Sequence, residues 1–249
     1  MGQQRQALVE VLTVCLGVTG ATLAIDAARA VPWLAEYVHM AVGALFVVVA
    51  IQMAQRQPDG LRRYGMRLGG LLEAPRDAQV DERGAVADTL HALRAAWPDA
   101  RRALLAGGLL ALLVFPPFAL AFHWWHTPAE AFQWRPPVDP ASYALAQLLV
   151  VGLPEEALFR GYVQGRLGDA FADSRRVLGA ELSPRAALLQ CALFALLHFA
   201  VDLNPARLAV FFPALAFTWL AARQGGIGAA IVFHALCNLL SDVLVRGWL

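Results

Sequence analysis

The sequence has no lysine, and all 20 of its basic residues are arginine. Only 16% of the 249 residues are charged, compared with about 25% in soluble domains. The formal net charge is +1, so the chain has no extended positive field and we expect no nucleic-acid partner. Hydrophobic residues make up 59% of the chain. This share excludes a disordered chain and indicates a protein that lies in lipid.

Cysteine is also scarce. The three cysteines, Cys15, Cys191 and Cys237, lie in separate apolar runs, and none forms a C-x-x-C motif. This pattern excludes a secreted disulfide scaffold. We interpret the three thiols as small apolar side chains rather than as nucleophiles or metal ligands. The H-E-x-x-H signature of zinc proteases is absent as well.

Long apolar runs account for most of the chain. Seven of them are close to the length of about 20 residues that a membrane-spanning helix needs. They cover residues 7–25, 31–53, 103–122, 143–159, 186–203, 208–222 and 227–245. We therefore predict an all-α fold, a polytopic membrane helical bundle of about seven (six to eight) transmembrane helices that forms a single domain over 1–249. The pair Pro116–Pro117 is expected to end or kink the third of these helices.

A polar stretch, residues 54–102, separates the second and third runs. It contains nine arginines, and arginine-rich loops next to spans stay in the cytoplasm. Apolar side chains recur within it at helical spacing, at Val86, Leu90, Leu93 and Trp97. We therefore predict a cytoplasmic loop that carries an amphipathic helix on the membrane surface.

Two adjacent carboxylates, Glu155 and Glu156, lie near the end of the fourth run, and Arg160 follows. Neighbouring side chains on a helix point about 100° apart, whereas residues four apart share a face. Glu156 is thus expected to pair with Arg160, which leaves Glu155 without a local partner. Glu155 could act as a general base for water. Alternatively, the cluster could be an ion-pair clamp that ends a helix at the membrane surface.

Two later runs carry further polar residues on single helix faces. Phe194 and His198 are four residues apart, and so are His234 and Asn238. Polar groups inside a membrane need partners. We therefore expect Glu155, His198, His234 and Asn238 to meet around one water-filled cavity.

Side-chain chemistry suggests roles in such a cavity. Glu155 would take a proton from water, and His198 would hold, orient or polarise that water. His234 and Asn238 would donate hydrogen bonds to an oxyanion. The implied reaction is hydrolysis of a peptide bond without a cofactor. A zinc site formed by Glu155, His198 and His234 has acceptable ligand chemistry, but its spacing is not diagnostic, and we favour the metal-free reading.

The three motifs E-E-x-x-x-R, F-x-x-x-H and H-x-x-x-N, in this order on successive runs, resemble those of the CPBP family of intramembrane proteases. This family includes the type II CAAX prenyl endopeptidases and bacteriocin-processing or bacteriocin-immunity proteins. The resemblance covers about 141–245, which we predict to be the catalytic core. It implies an all-helical membrane fold, endopeptidase activity and Glu155 as the base. It assigns water activation and oxyanion binding to the remaining polar residues, His198, His234 and Asn238, with support from Glu156, Arg160 and Phe194.

Together these features predict an integral protein of a bacterial inner (plasma) membrane. Its expected partners are the lipid bilayer and a membrane-associated protein or peptide substrate. The alternative is a non-catalytic membrane factor, such as a bacteriocin-immunity protein, that keeps the polar cluster as a structural network. A transporter is less favoured, because the sequence shows no inverted repeat.

Overall fold

The computed structural model describes residues 2–68, 84–171 and 173–249. Most of these residues are helical. The α-helices are α1 Gly2–Asp26, α2 Pro32–Ala35, α3 Val38–Gln55, α4 Gly60–Arg63, α5 Gly84–His126, α6 Pro140–Ala146, α7 Leu153–Glu156, α8 Gln164–Phe171, α9 Pro184–Asp202, α10 Phe211–Gln224 and α11 Gly228–Trp248. Short 3₁₀ helices cover Ala27–Ala30 and Pro205–Val210.

Within the described ranges, six helices are long and apolar enough to cross a membrane. They cover Gln4–Ala30, Val38–Gln55, Leu90–His126, Pro184–Asp202, Pro205–Gln224 and Gly228–Trp248. The predicted all-α polytopic membrane bundle is therefore confirmed, and the six helices fall within the expected range of six to eight.

The fourth apolar run is helical but interrupted. Two π-helical segments, Gln147–Gly152 and Ala157–Val163, alternate with α6, α7 and α8. We call the whole stretch, residues 140–171, the segmented helix. Pro154 contributes to the interruption, because it has no backbone N–H to donate to the preceding turn. π-Helical turns are rare and are frequent at functional sites, and here they flank the pair of glutamates.

Helix α5 continues without a break through Pro98, Pro116 and Pro117. The Pro116–Pro117 pair therefore does not end the third span, whereas the alternative expectation, a kink, stays a prediction. A membrane helix tolerates such prolines because neighbouring groups and local adjustments satisfy the freed carbonyls. The first part of α5 includes the predicted amphipathic segment, where Leu90, Leu93 and Trp97 are exposed. Residues 69–83 and the side chain of Val86 lie outside the described residues, so the predicted loop over 54–102 stays a prediction.

The core forms where the early helices meet the segmented helix. Phe46 of α3 contacts Phe159 edge-on, and Phe159 contacts Phe194 of α9 in the same way. Next to these aromatic rings, α3 and the segmented helix approach each other very closely. A Cβ atom on Gly43 would lie 2.7 Å from the carbonyl oxygen of Val150, so only glycine fits there.

A short antiparallel hairpin joins the segmented helix to α9. Its strands are β1 Arg175–Val177 and β2 Ala180–Leu182, and Arg175 pairs with Leu182. The hairpin was not predicted from the sequence, because strands of three residues are too short to show an alternating pattern. All three cysteines are free; Cys15 and Cys191 are buried and Cys237 is partly buried.

Candidate active site

Glu155 of α7 faces two imidazole rings from other helices. Its Oε2 atom lies 3.7 Å from Nε2 of His198 on α9 and 3.8 Å from Nε2 of His234 on α11. Both separations are too long for direct hydrogen bonds. Among the described residues, this buried Oε2 atom has no hydrogen-bond partner. The structure therefore brings three of the four predicted catalytic side chains together around a gap.

The backbone of α9 fixes the orientation of His198. Its Nδ1 atom lies 2.9 Å from the carbonyl oxygen of Phe194, one turn earlier. A carbonyl oxygen only accepts hydrogen bonds, so Nδ1 carries the proton in this contact. In the neutral ring, Nε2 is then a hydrogen-bond acceptor directed at Glu155.

His234 has the same orientation for a different reason. Its Nδ1–H donates a hydrogen bond to Oε1 of Glu156 at 2.7 Å. The ring also stacks on Phe217 of α10, with centroids 4.7 Å apart and planes inclined by 11°. Both contacts hold the buried ring so that Nε2 points to Glu155. The two adjacent glutamates thus contact opposite sides of the same imidazole.

The expected ion pair between Glu156 and Arg160 is present. Arg160 Nη1 donates to Glu156 Oε1 at 3.0 Å, and both side chains are fully buried. The guanidinium also lies over the rings of Phe194 and Phe217, at 4.3 and 5.0 Å from their centroids. Stacking on two aromatic faces stabilises a desolvated cation. Arg160 and Phe194 therefore hold the carboxylate that positions His234.

Asn238 lies one turn after His234 on α11 and is half-buried. Its Nδ2 atom donates to Oε1 of Gln147 at 2.9 Å. Gln147 begins the first π-helical segment, and the sequence analysis overlooked it. A polar amide inside an apolar run was the signal that could have identified it.

Burial separates the groups that face the gap from those that support them. The side chains of Glu155 and His198 are 18% and 22% exposed, so both lie partly at the surface of the helix bundle. Glu156, Arg160 and His234 are buried. The site thus combines a partly exposed carboxylate and imidazole with a buried ion pair and imidazole behind them.

The donor types also allow a test for zinc. One carboxylate and two imidazoles form a common ligand set for catalytic zinc. In a tetrahedral site with bonds of about 2.1 Å, neighbouring ligand atoms lie about 3.4 Å apart, which is less than the 3.7 and 3.8 Å found here. Over 2–68, 84–171 and 173–249, no cluster of three or more His, Cys, Asp or Glu side chains has a metal-binding arrangement. The carboxylate and the two imidazoles have the donor types for zinc, the metal-free mechanism stays a prediction, and we derive no step through an ion.

The helices and this site define a class of protein: an integral membrane protein with carboxylates and imidazoles clustered between its helices. Residues 137–240 match the family model described as Rce1-like, type II CAAX prenyl endopeptidase. The match confirms the predicted relationship to the CPBP proteases over this segment, which is similar to type II CAAX prenyl endopeptidases. It contains every candidate site residue named above. No curated protein and no solved structure matched the chain.

Proposed function

We propose that the protein is a membrane endopeptidase that uses Glu155 to activate water for hydrolysis of a peptide bond. The observation that carries this proposal is the gap between Glu155 Oε2 and the two Nε2 atoms. A water oxygen at about 2.8 Å from both atoms of such a pair fits a gap of this size. The proposed substrate is a membrane-associated protein or peptide, and the proposed location is a bacterial plasma membrane.

The orientation of His198 suggests how the water is held. Glu155 and Nε2 of His198 both accept hydrogen bonds, so they can take the two protons of one water molecule. A lone pair on the water oxygen then remains free to attack a substrate carbonyl carbon. As the new C–O bond forms, Glu155 receives one proton from the water.

We assign the other half of the reaction to His234 and Asn238. When Nε2 of His234 carries a proton, the carboxylate of Glu156 on the opposite side of the ring balances the charge. Nε2–H and an amide N–H of Asn238 then donate to the oxyanion. Glu155 passes its proton to the leaving nitrogen as the C–N bond breaks, which releases an amine and a carboxylic acid.

The test compares Glu155→Gln with wild type in vesicles that contain a synthetic farnesylated peptide ending in a Cys-a-a-X sequence. Mass spectrometry of the released tripeptide measures cleavage. Loss of the base should slow cleavage at least about 100-fold, while the melting temperature stays unchanged. Glu10→Gln is the matched control, because Glu10 is a glutamate on α1 outside the site.

Three results would count against the proposal. Cleavage by Glu155→Gln at the wild-type rate would show that Glu155 is not the general base. A wild-type protein that cuts neither the farnesylated peptide nor its unmodified form would favour the non-catalytic alternative. One zinc ion per chain, together with inhibition by a strong chelator, would replace the metal-free mechanism by the zinc-dependent one.

A further inference from the structure

The tip of the β1–β2 hairpin combines two unfavourable features. Leu178 and Gly179 form its two-residue turn, and both have positive φ, 47° and 81°. Glycine adopts this conformation without cost, whereas leucine does not; asparagine, aspartate and glycine are the usual residues at the first turn position. Leu178 is also 83% exposed. A strained and exposed leucine indicates a contact that the isolated chain does not supply.

The hairpin lies beside the end of a membrane span. The indole Nε1 of Trp219 donates to the carbonyl oxygen of Val177 at 3.2 Å. Trp219 precedes the end of α10 at Gln224 by five residues, or about 7.5 Å along the helix axis. The strand that leads to Leu178 is therefore attached below the end of α10, at the depth where tryptophan marks the membrane interface.

Exposed arginines surround the turn. Arg175 and Arg176 lie on β1 and are exposed. Arg223 at the end of α10 lies against the turn, because a Cβ atom on Gly179 would be 3.1 Å from its Nε atom. Two acids belong to the hairpin: Glu181 lies opposite Arg176 on the other strand, and Asp173 lies at the base, farther from the turn. The excess of positive charge fits an anionic surface.

The base of the hairpin is firmly closed. The Ser183 hydroxyl donates to Asp173, and this hydrogen bond lowers the pKa of that carboxyl. The same hydroxyl oxygen accepts the backbone N–H of Ala186 and so caps α9. The hairpin is thus held rigidly between the segmented helix and the helix that carries His198.

From these observations we propose that the hairpin binds anionic phospholipid headgroups. Arg175, Arg176 and Arg223 contact the phosphates, and Leu178 inserts among the upper parts of the lipid chains. Burial in lipid offsets the cost of exposing leucine at a strained turn position. Anionic lipid is the occupant that satisfies the arginines and the leucine together.

The first experiment measures which lipids the full-length protein retains from vesicles of equal phosphatidylglycerol and phosphatidylcholine. Wild type should retain phosphatidylglycerol in excess. Replacement of the three arginines by glutamine should reduce this excess at least about fivefold, because each arginine near an anionic surface contributes a factor of that order. The matched control replaces three exposed arginines at the opposite ends of the helices, Arg135, Arg207 and Arg246. Equal retention by both triple variants would overturn the proposal.

The second experiment tests insertion of the tip. A spin label on Leu178→Cys should be protected from a water-soluble nickel relaxant and relaxed by oxygen, as expected for a site in lipid. A label on Asp59→Cys, the residue immediately before α4, serves as the comparison. Leu178→Asn suits the turn, so it should fold at least as stably as wild type and yet lose phosphatidylglycerol preference. Insertion would be refuted if the label at position 178 were as accessible to nickel as the label at position 59. It would also be refuted if Leu178→Asn kept the full preference for phosphatidylglycerol.

Discussion

Charged side chains are used differently in the Rce1-like segment and in the helices that precede it. In residues 137–240, Glu156 and Arg160 are fully buried and paired. In the first helix, Glu10 is only half-buried; it accepts from Tyr162 and from Arg166 of the segmented helix. The buried pair is the costly arrangement, because each charge loses its hydration. The difference indicates that the inner pair is retained to orient His234, whereas the outer contacts hold α1 in place.

The largest effect on stability should come from breaking the buried ion pair of Glu156 and Arg160. Arg160→Met leaves the Glu156 carboxylate buried with only His234 as a partner. We expect a loss of about 3–5 kcal/mol in the free energy of unfolding, measured by denaturant titration in mixed micelles. The double variant Glu156→Gln/Arg160→Met should recover part of this loss, because no uncompensated charge remains. A loss below 1 kcal/mol in the single variant would contradict the comparison.

Glu156→Gln tests the orientation of His234 through kcat, although it also leaves the buried Arg160 cation without its carboxylate and so lowers stability. The amide keeps the volume of the side chain but removes the charge that faces Nδ1 of His234. We expect kcat to fall by about 100-fold with little change in KM, as for loss of an acid–base contribution. Steady-state cleavage of the farnesylated peptide measures both constants. An unchanged kcat would show that His234 does not need this carboxylate.

Gly43→Ala tests the contact between the two regions. The new methyl group would meet the Val150 carbonyl oxygen at 2.7 Å and Pro154 Cγ at 3.2 Å. We expect a destabilisation of about 1–3 kcal/mol from overpacking, seen as a lower melting temperature. Gly108→Ala is the control, because a methyl group there meets no atom within 4 Å. Equal melting temperatures for the two variants would argue against the close approach.

Glu10→Gln should have the smallest effect. Tyr162 is buried, but the ion pair with Arg166 lies near the surface, with the Arg166 and Glu10 side chains 13% and 21% exposed. Ion pairs near the surface contribute about 1 kcal/mol or less. The loss of stability should shrink further at high salt, because ions screen exposed charges. Unfolding measured at two salt concentrations checks this. A loss of stability as large as that of Arg160→Met would show that the Glu10–Arg166 pair and the buried Glu156–Arg160 pair do not differ in their contribution.

Much of the site could be predicted because its contacts are local. The pair Glu156–Arg160 follows from a separation of four residues on one helix. The bond between His198 and the Phe194 carbonyl likewise lies within one turn of α9. The contacts that the sequence analysis missed, Glu156 with His234 and Gln147 with Asn238, join residues 78 and 91 positions apart. No periodic pattern encodes such a distance.

Most of the helices could be predicted from the apolar runs, because runs of sufficient length have to satisfy their backbone groups internally in lipid. The polar residues within these runs likewise showed which side chains need partners. That both imidazoles direct Nε2 at Glu155 follows from the packing of the helices and from no pattern in the chain. The direction of each ring depends on an acceptor at its Nδ1 atom, and for His234 that acceptor comes from another helix. The depth of the hairpin next to Trp219 was likewise set by packing, because three-residue strands carry no pattern of their own.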